Sequence, residues 1–140
     1  MTTAKPLPDI GNPQTMPFWN ALRERRIIVQ RCSSCATARY PASPICPSCL
    51  SREHTWDDIE QDGELWSYVV YRRALAPAFA DDVPYVIGIV EVADSLHITA
   101  RIDASLDSLV VGMRVRAVFT DVSDALTLLS FAPAGGAQNA

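Results

Sequence analysis

The chain has no cysteine outside residues 32–49 and only two histidines, His54 and His97, neither in a motif with a nucleophile. Its six glycines are never grouped as a phosphate loop, and neither G-x-S-x-G nor H-E-x-x-H occurs. These absences exclude the common hydrolase, metalloprotease and nucleotide-binding signatures. They leave catalysis by this chain alone poorly supplied, so no catalytic residue is assigned. No apolar run approaches the length of a membrane span, and residues 1–9 are polar and proline-rich. The expectation is a soluble, cytoplasmic chain with no membrane partner.

All four cysteines stand in two knuckles, Cys32-Ser-Ser-Cys35 and Cys46-Pro-Ser-Cys49. Four thiolates at this spacing can close a tetrahedral cage around one Zn²⁺. Two disulfides are the bland alternative. They need an oxidising compartment, and the N-terminus offers no signal peptide. Iron is the minor competitor, since such knuckles also hold iron. A closed cage leaves no position for water, so the metal is expected to be a structural staple, one per chain. His54 lies just past Cys49, but four cysteines already fill the site.

The formal net charge is −4, unevenly spread. Up to Arg52 the chain carries Lys5, Arg23, Arg25, Arg26, Arg31, Arg39 and Arg52 against Asp9 and Glu24. Beyond it, Asp57, Asp58, Glu60, Asp62 and Glu64 crowd one stretch. Most such residues are ordinary solvated surface. The asymmetry still places any anion-binding surface in the first third.

Residues 1–14 hold Pro6, Pro8, Gly11 and Pro13 and read as a flexible arm. A helix starts near Pro17, with Thr15 as capping candidate. Phe18, Trp19 and Leu22 share its core-facing side, while Asn20, Arg23 and Glu24 look outward. Residues 27–30 form a short strand into the first knuckle. Helix and zinc ribbon together span 15–55, with too little apolar mass in the ribbon to fold without metal. Residues 56–62 read as an acidic linker.

Five strands follow, at 65–71, 85–92, 96–102, from Gly112 onward, and at 126–131. Gly88 suggests a bulge or bend in the second. Residues 103–109 have room for one helical turn. The pattern predicts a mainly β chain whose residues 56–133 close into a five-stranded OB-fold barrel. An incomplete sandwich is the alternative. Residues 134–140 form a small-residue tail with no reason for order.

The connection 73–84 is too long for a hairpin and oddly apolar. In OB barrels this loop meets ligands. Leu75 and Phe79 therefore either contact a partner or ligand, or fold back to plug the barrel end.

Two binding classes remain. A zinc ribbon joined to an OB barrel is a common single-stranded nucleic-acid-binding combination. The acidic barrel argues against it, because a nucleic-acid reader needs a basic stripe interleaved with aromatics. The second class is a protein-docking barrel with the basic helix and ribbon near an anionic small molecule.

The residues also resemble a family. Pro17-Phe18-Trp19-Asn-Ala-Leu-Arg-Glu-Arg-Arg-Ile-Ile-Val-Gln-Arg-Cys32, then Arg39-Tyr40-Pro41 and Pro44-Ile45-Cys46-Pro47-Ser-Cys49, are similar to the opening of a former domain-of-unknown-function family. It joins a helix and rubredoxin-like zinc ribbon to an OB-fold. Pro84-Tyr85-Val86 and Val111-Gly112-Met113-Arg114-Val115 resemble its barrel. Ala36 departs from the pattern, which places glycine after the knuckle to relieve a positive φ. Members are typically encoded beside thiolase-type enzymes. The resemblance implies a non-catalytic accessory subunit that helps bind acyl-CoA. It would dock on a thiolase-like acyltransferase or a lipid-transfer-protein-like aldolase of sterol side-chain breakdown, a role in lipid metabolism. Two copies of each chain are expected, with no nucleic acid. CoA carries phosphates, which arginine recognises through its rigid donor fork. Arg23, Arg25, Arg26, Arg31 and Arg39 are the candidates for them.

Overall fold

The computed structural model describes residues 5–134. Helix α1 (Met16–Arg23) starts with Pro17 in its first turn. Thr15 occupies the cap position but makes no side-chain capping bond; the Asn12 carbonyl accepts from the Thr15 and Met16 N–H groups instead. Phe18 and Leu22 are buried, and Trp19 packs edge-on against Phe18 with centroids 5.4 Å apart. The helix lies between the ribbon strand β1 (Ile27–Cys32) and the barrel.

In the ribbon, β1 is flanked by β2 (Ala38–Arg39) and β3 (His54–Ile59), both antiparallel to it. The stretch read as an acidic linker is therefore mostly strand. Asp57 and Asp58 stand opposite Val29 and Ile28 in the ladder. Their charge is tolerated because Arg31 meets Asp57 at 2.6 Å and Arg26 meets Asp58 at 2.8 Å.

The barrel comprises β4 (Asp62–Tyr71), β5 (Tyr85–Glu91), β6 (His97–Ile102), β7 (Arg114–Asp121) and β8 (Thr127–Pro133). They close in the order β4-β5-β6-β8-β7, with β7 pairing back onto β4. Only β6 and β8 run parallel. This is the mainly β, five-stranded OB-type fold that the strand pattern predicts. A single 3₁₀ turn at Leu106–Ser108 occupies the break between β6 and β7.

Gly88 does not mark a bulge, because the register runs evenly through Tyr68, Gly88 and Ala100. A Cβ there would sit 2.7 Å from Ile102 and 2.9 Å from Leu65, so the crowded barrel interior leaves room only for hydrogen. The bulge lies on β4 instead, between Leu65 and Ser67, and leaves Trp66 unpaired on the outside.

Leu65, Val90, Ile98, Val115 and Phe131 fill the barrel, and Leu22 and Ile27 belong to the same buried cluster. Helix, ribbon and barrel thus share one core. Two arginines reinforce the junction. Arg25 makes paired bonds of 2.8 and 2.9 Å to Asp121 on β7. Arg31 reaches Asp94, in the turn before β6, at 2.8 Å. The arm is tied down where it becomes described, with Lys5 2.6 Å from Asp82. Residues 1–4 of the arm and 135–140 of the tail lie outside the described residues. Among the described residues no helix is long and apolar enough to cross a membrane.

Candidate functional site

The two knuckles are built alike. The Ala36 N–H donates to the Cys32 carbonyl at 2.9 Å, and the Leu50 N–H donates to the Cys46 carbonyl at 2.8 Å. Both donors hold φ 66°, the left-handed turn that closes a knuckle. The strain expected at Ala36 is thus present, and Leu50 repeats it in the second knuckle.

These turns aim Cys32, Cys35, Cys46 and Cys49 at one point. Their Sγ atoms all lie within 4.8 Å of one another, with Cys32–Cys49 at 3.5 Å and Cys35–Cys46 at 3.6 Å. A tetrahedral Zn–S bond of about 2.3 Å requires sulfur–sulfur edges of roughly 3.8 Å, so the donor set fits the ion. The protonation pattern also fits. The Cys32 thiol is pulled down to about 6, chiefly by the Cys35 backbone N–H and then by that of Ser34. Cys46 is lowered, chiefly by the Cys49 N–H. Cys49 is pushed up to about 12: the Ser51 N–H lowers it, but the neighbouring thiol of Cys32 and desolvation outweigh that bond. Four sulfurs this close resist complete ionisation until a cation sits among them.

A polar cluster backs the cage. Gln30 is fully buried and accepts from the Ser43 N–H at 2.8 Å. Arg39 is also buried and donates to the Ser43 carbonyl at 2.9 and 3.2 Å. Together they pin the connector between the knuckles. His54 stands opposite Cys32 in the β1–β3 ladder, with Nε2 3.3 Å from Gln30 Nε2. Sequence reasoning missed this cluster. A single glutamine in an apolar strand, between Val29 and Arg31, was its one signal.

The five candidate arginines do not converge. Arg39 is spent inside the ribbon and offers nothing to a phosphate in solvent. Arg25, Arg26 and Arg31 are each hydrogen-bonded to carboxylates, which holds their guanidinium pKa values above the ordinary one. Arg23 is exposed and, alone of the five, pairs with no carboxylate or backbone acceptor among the described residues. With Arg25 it lines an open cleft of about 760 Å³ between α1 and the β7–β8 turn, beside Asp121 and Asp124.

The long loop after β4 separates its two candidates. Leu75 is 75% exposed. Phe79 is half-buried against Tyr85, centroids 5.9 Å apart, on the outside of β5. Neither enters the barrel core.

A four-cysteine ribbon and an OB-type barrel fused through one core define a two-module zinc-ribbon/OB-fold protein. Comparison with known families gives the particular one. Residues 19–55 match "ChsH2, rubredoxin-like zinc ribbon domain" and residues 56–120 match "ChsH2, C-terminal OB-fold domain". The chain belongs to this ChsH2 family, also known as DUF35. It is 32% identical over 109 residues to a DUF35 domain-containing scaffold protein of Methanocaldococcus jannaschii, covering 76% of this chain and 77% of that one. It is 34% identical over 134 residues to a probable enoyl-CoA hydratase alpha subunit of Thermomonospora curvata. That alignment takes in 93% of this chain but only 40% of the relative. Among solved structures, the "Ltp2-ChsH2(DUF35) aldolase" contains a chain matching at TM-score 0.80 and 30% identity, covering 91% of this chain and 99% of that one. A DUF35 protein of Sulfolobus solfataricus shares the fold at TM-score 0.60 and 18% identity, covering 87% of this chain and 86% of that one. The matched boundary at residue 55 falls inside β3, whose first residues pair with the cage strand.

Proposed function

We propose that this chain is a non-catalytic accessory subunit that docks on a thiolase-fold enzyme, an aldolase or acyltransferase, and helps it bind acyl-CoA. The observation that carries the reading is the near-complete match to a chain of the Ltp2-ChsH2 aldolase. The scaffold names of the archaeal relatives support it. The assembly would hold two copies of each chain in the cytoplasm. Its substrates would be acyl-CoA esters of lipid metabolism, sterol side chains among them.

The ribbon's part is mechanical. Cys32, Cys35, Cys46 and Cys49 would hold one Zn²⁺, which supplies folding energy and fixes β1 against the helix. For CoA, Arg23 is the available phosphate donor. Arg25, Arg26 and Arg31 would first have to release Asp121, Asp58 and Asp57. Leu75 is the loop residue offered to the partner, while Phe79 holds the loop in place.

The test is co-expression with a thiolase-fold aldolase of the Ltp2 kind, followed by acyl-CoA kinetics. Arg23→Glu should leave the complex intact and raise the KM for acyl-CoA. An unchanged KM removes Arg23 from the CoA site.

A further inference from the structure

An antiparallel sheet that faces water on one side alternates apolar-in and polar-out. The outer faces of β6 and β7 obey this rule, with Thr99, Arg114 and Arg116 exposed. The outer face of β4 and β5 does not. Trp66 and Val69 are 51% and 53% exposed. Val69 stands opposite Ile87, and Tyr71 stands opposite Tyr85 with the rings stacked 5.1 Å apart. Ile89 completes the patch beside Ile87, and both are half-buried. These strands also bury Leu65, Val86 and Val90 on their inner face, so they are apolar on both sides. On this outer side Trp66 meets the His97 ring at 4.5 Å and Phe79 packs on Tyr85, while Val69 stays exposed.

The long loop reaches only the Tyr85 end of this face, where Phe79 packs, and leaves Trp66 and Val69 exposed. Lys5 and Arg101 hold Asp82 at 2.6 and 3.2 Å, and Phe79 packs on Tyr85, so the loop is fixed at one end. The charges nearby point to the occupant. Arg25, Arg26, Arg31, Arg101 and Arg116 all hold carboxylates of this chain. Arg72 and Arg73, where β4 leaves the face, are exposed and pair with no carboxylate among the described residues. Glu64 and Glu91 stand at the opposite end, paired across the ladder.

We infer that the outer face of β4 and β5 is the seat of the thiolase-fold subunit, with Arg72 and Arg73 meeting carboxylates at the rim of that subunit's apolar contact. This rests on the accessory-subunit reading and adds the surface that executes it. A protein fits better than a nucleic acid. Flat aliphatic side chains such as Val69 and Ile87 offer bases no stacking platform, and the two glutamates would repel phosphates.

The experiment uses the full chain co-expressed with a thiolase-fold aldolase of the Ltp2 kind. Affinity is measured for wild type, for Val69→Glu with Ile87→Glu, for Arg72→Glu with Arg73→Glu, and for Val122→Glu, an exposed apolar control on the β7–β8 turn. The first two variants should bind at least tenfold more weakly and the control like wild type. Hydrogen exchange of the wild-type complex should show new protection in residues 66–71 and 85–89, which needs no variant to fold. Tight binding by the Val69 and Ile87 variant, or protection confined to the ribbon, overturns the surface while the accessory role stands. No binding by wild type overturns both. Wild-type binding to oligo-dT that the variants lose assigns the face to nucleic acid instead.

Discussion

Ala36 and Leu50 hold the same left-handed conformation, φ 66°, each one residue past a metal-facing cysteine. A Cβ in this region is strained, and glycine is the residue that relieves it. Ala36→Gly and Leu50→Gly should each stabilise the ribbon by about 0.5–1 kcal/mol. The check is the chelator concentration at which half the metal is lost, which should rise for both variants. A fall would mean that these side chains support the cage through contacts.

Zinc uptake should release protons. With Cys49 pushed up to about 12 and Cys32 down to about 6, the metal-free cage is partly protonated near neutrality, whereas the bound cage is four thiolates. Titrating zinc into stripped protein in weak buffer should therefore acidify the solution, with one zinc bound per chain. Cys46→Ser should abolish both signals and unfold the ribbon. A red, iron-containing preparation from zinc-replete cells would make the site a rubredoxin-like redox centre instead.

The arginine clamp predicts a pH effect of definite sign. Arg25, and then the Thr127 hydroxyl, hold Asp121 well below the usual carboxylate range. A depressed folded-state pKa contributes stability above the unfolded value of about 3.9, and that contribution is lost as pH falls below it. Wild type should therefore be more stable than Asp121→Asn near neutrality, and the gap should shrink as pH falls below about 4 toward the depressed folded-state value. Urea melts of the pair across that range decide it, because acid-driven metal loss is common to both. A gap that stays constant would show the pair contributes no such linkage.

Gly88→Ala should cost about 1–3 kcal/mol, as overpacking does in a closed core. Its added Cβ meets Ile102 and Leu65, which face it from inside the barrel. Thermal melts give the loss, and pairing the change with Ile102→Val should recover part of it. An unchanged melting temperature would mean the barrel can expand there.

The cage and the five barrel strands were legible because their signals are local: cysteine spacing in one case, alternation in the other. Strand β3 was not. Asp57 and Asp58 look like linker until Arg31 and Arg26 pair with them, and those partners are 26 and 32 residues away. The arginines misled for the same reason. Arg25 finds Asp121 96 residues along the chain, and Arg31 finds Asp94 after 63, so local sequence showed bare positive charge where the fold has ion pairs. Gly88 carried a real signal, but the cause was crowding from Ile102 rather than a kink. The bulge between Leu65 and Ser67 had no local signal, and it shifts the alternation so that Tyr68 turns inward and Val69 outward.

The most direct measurement is size-exclusion chromatography with light scattering on this chain co-expressed with a thiolase-fold aldolase of the Ltp2 kind. A single peak holding two copies of each chain, with acyl-CoA turnover that falls when this chain is removed, is the result expected of an accessory subunit. Separate elution, with the enzyme equally active alone, would contradict it.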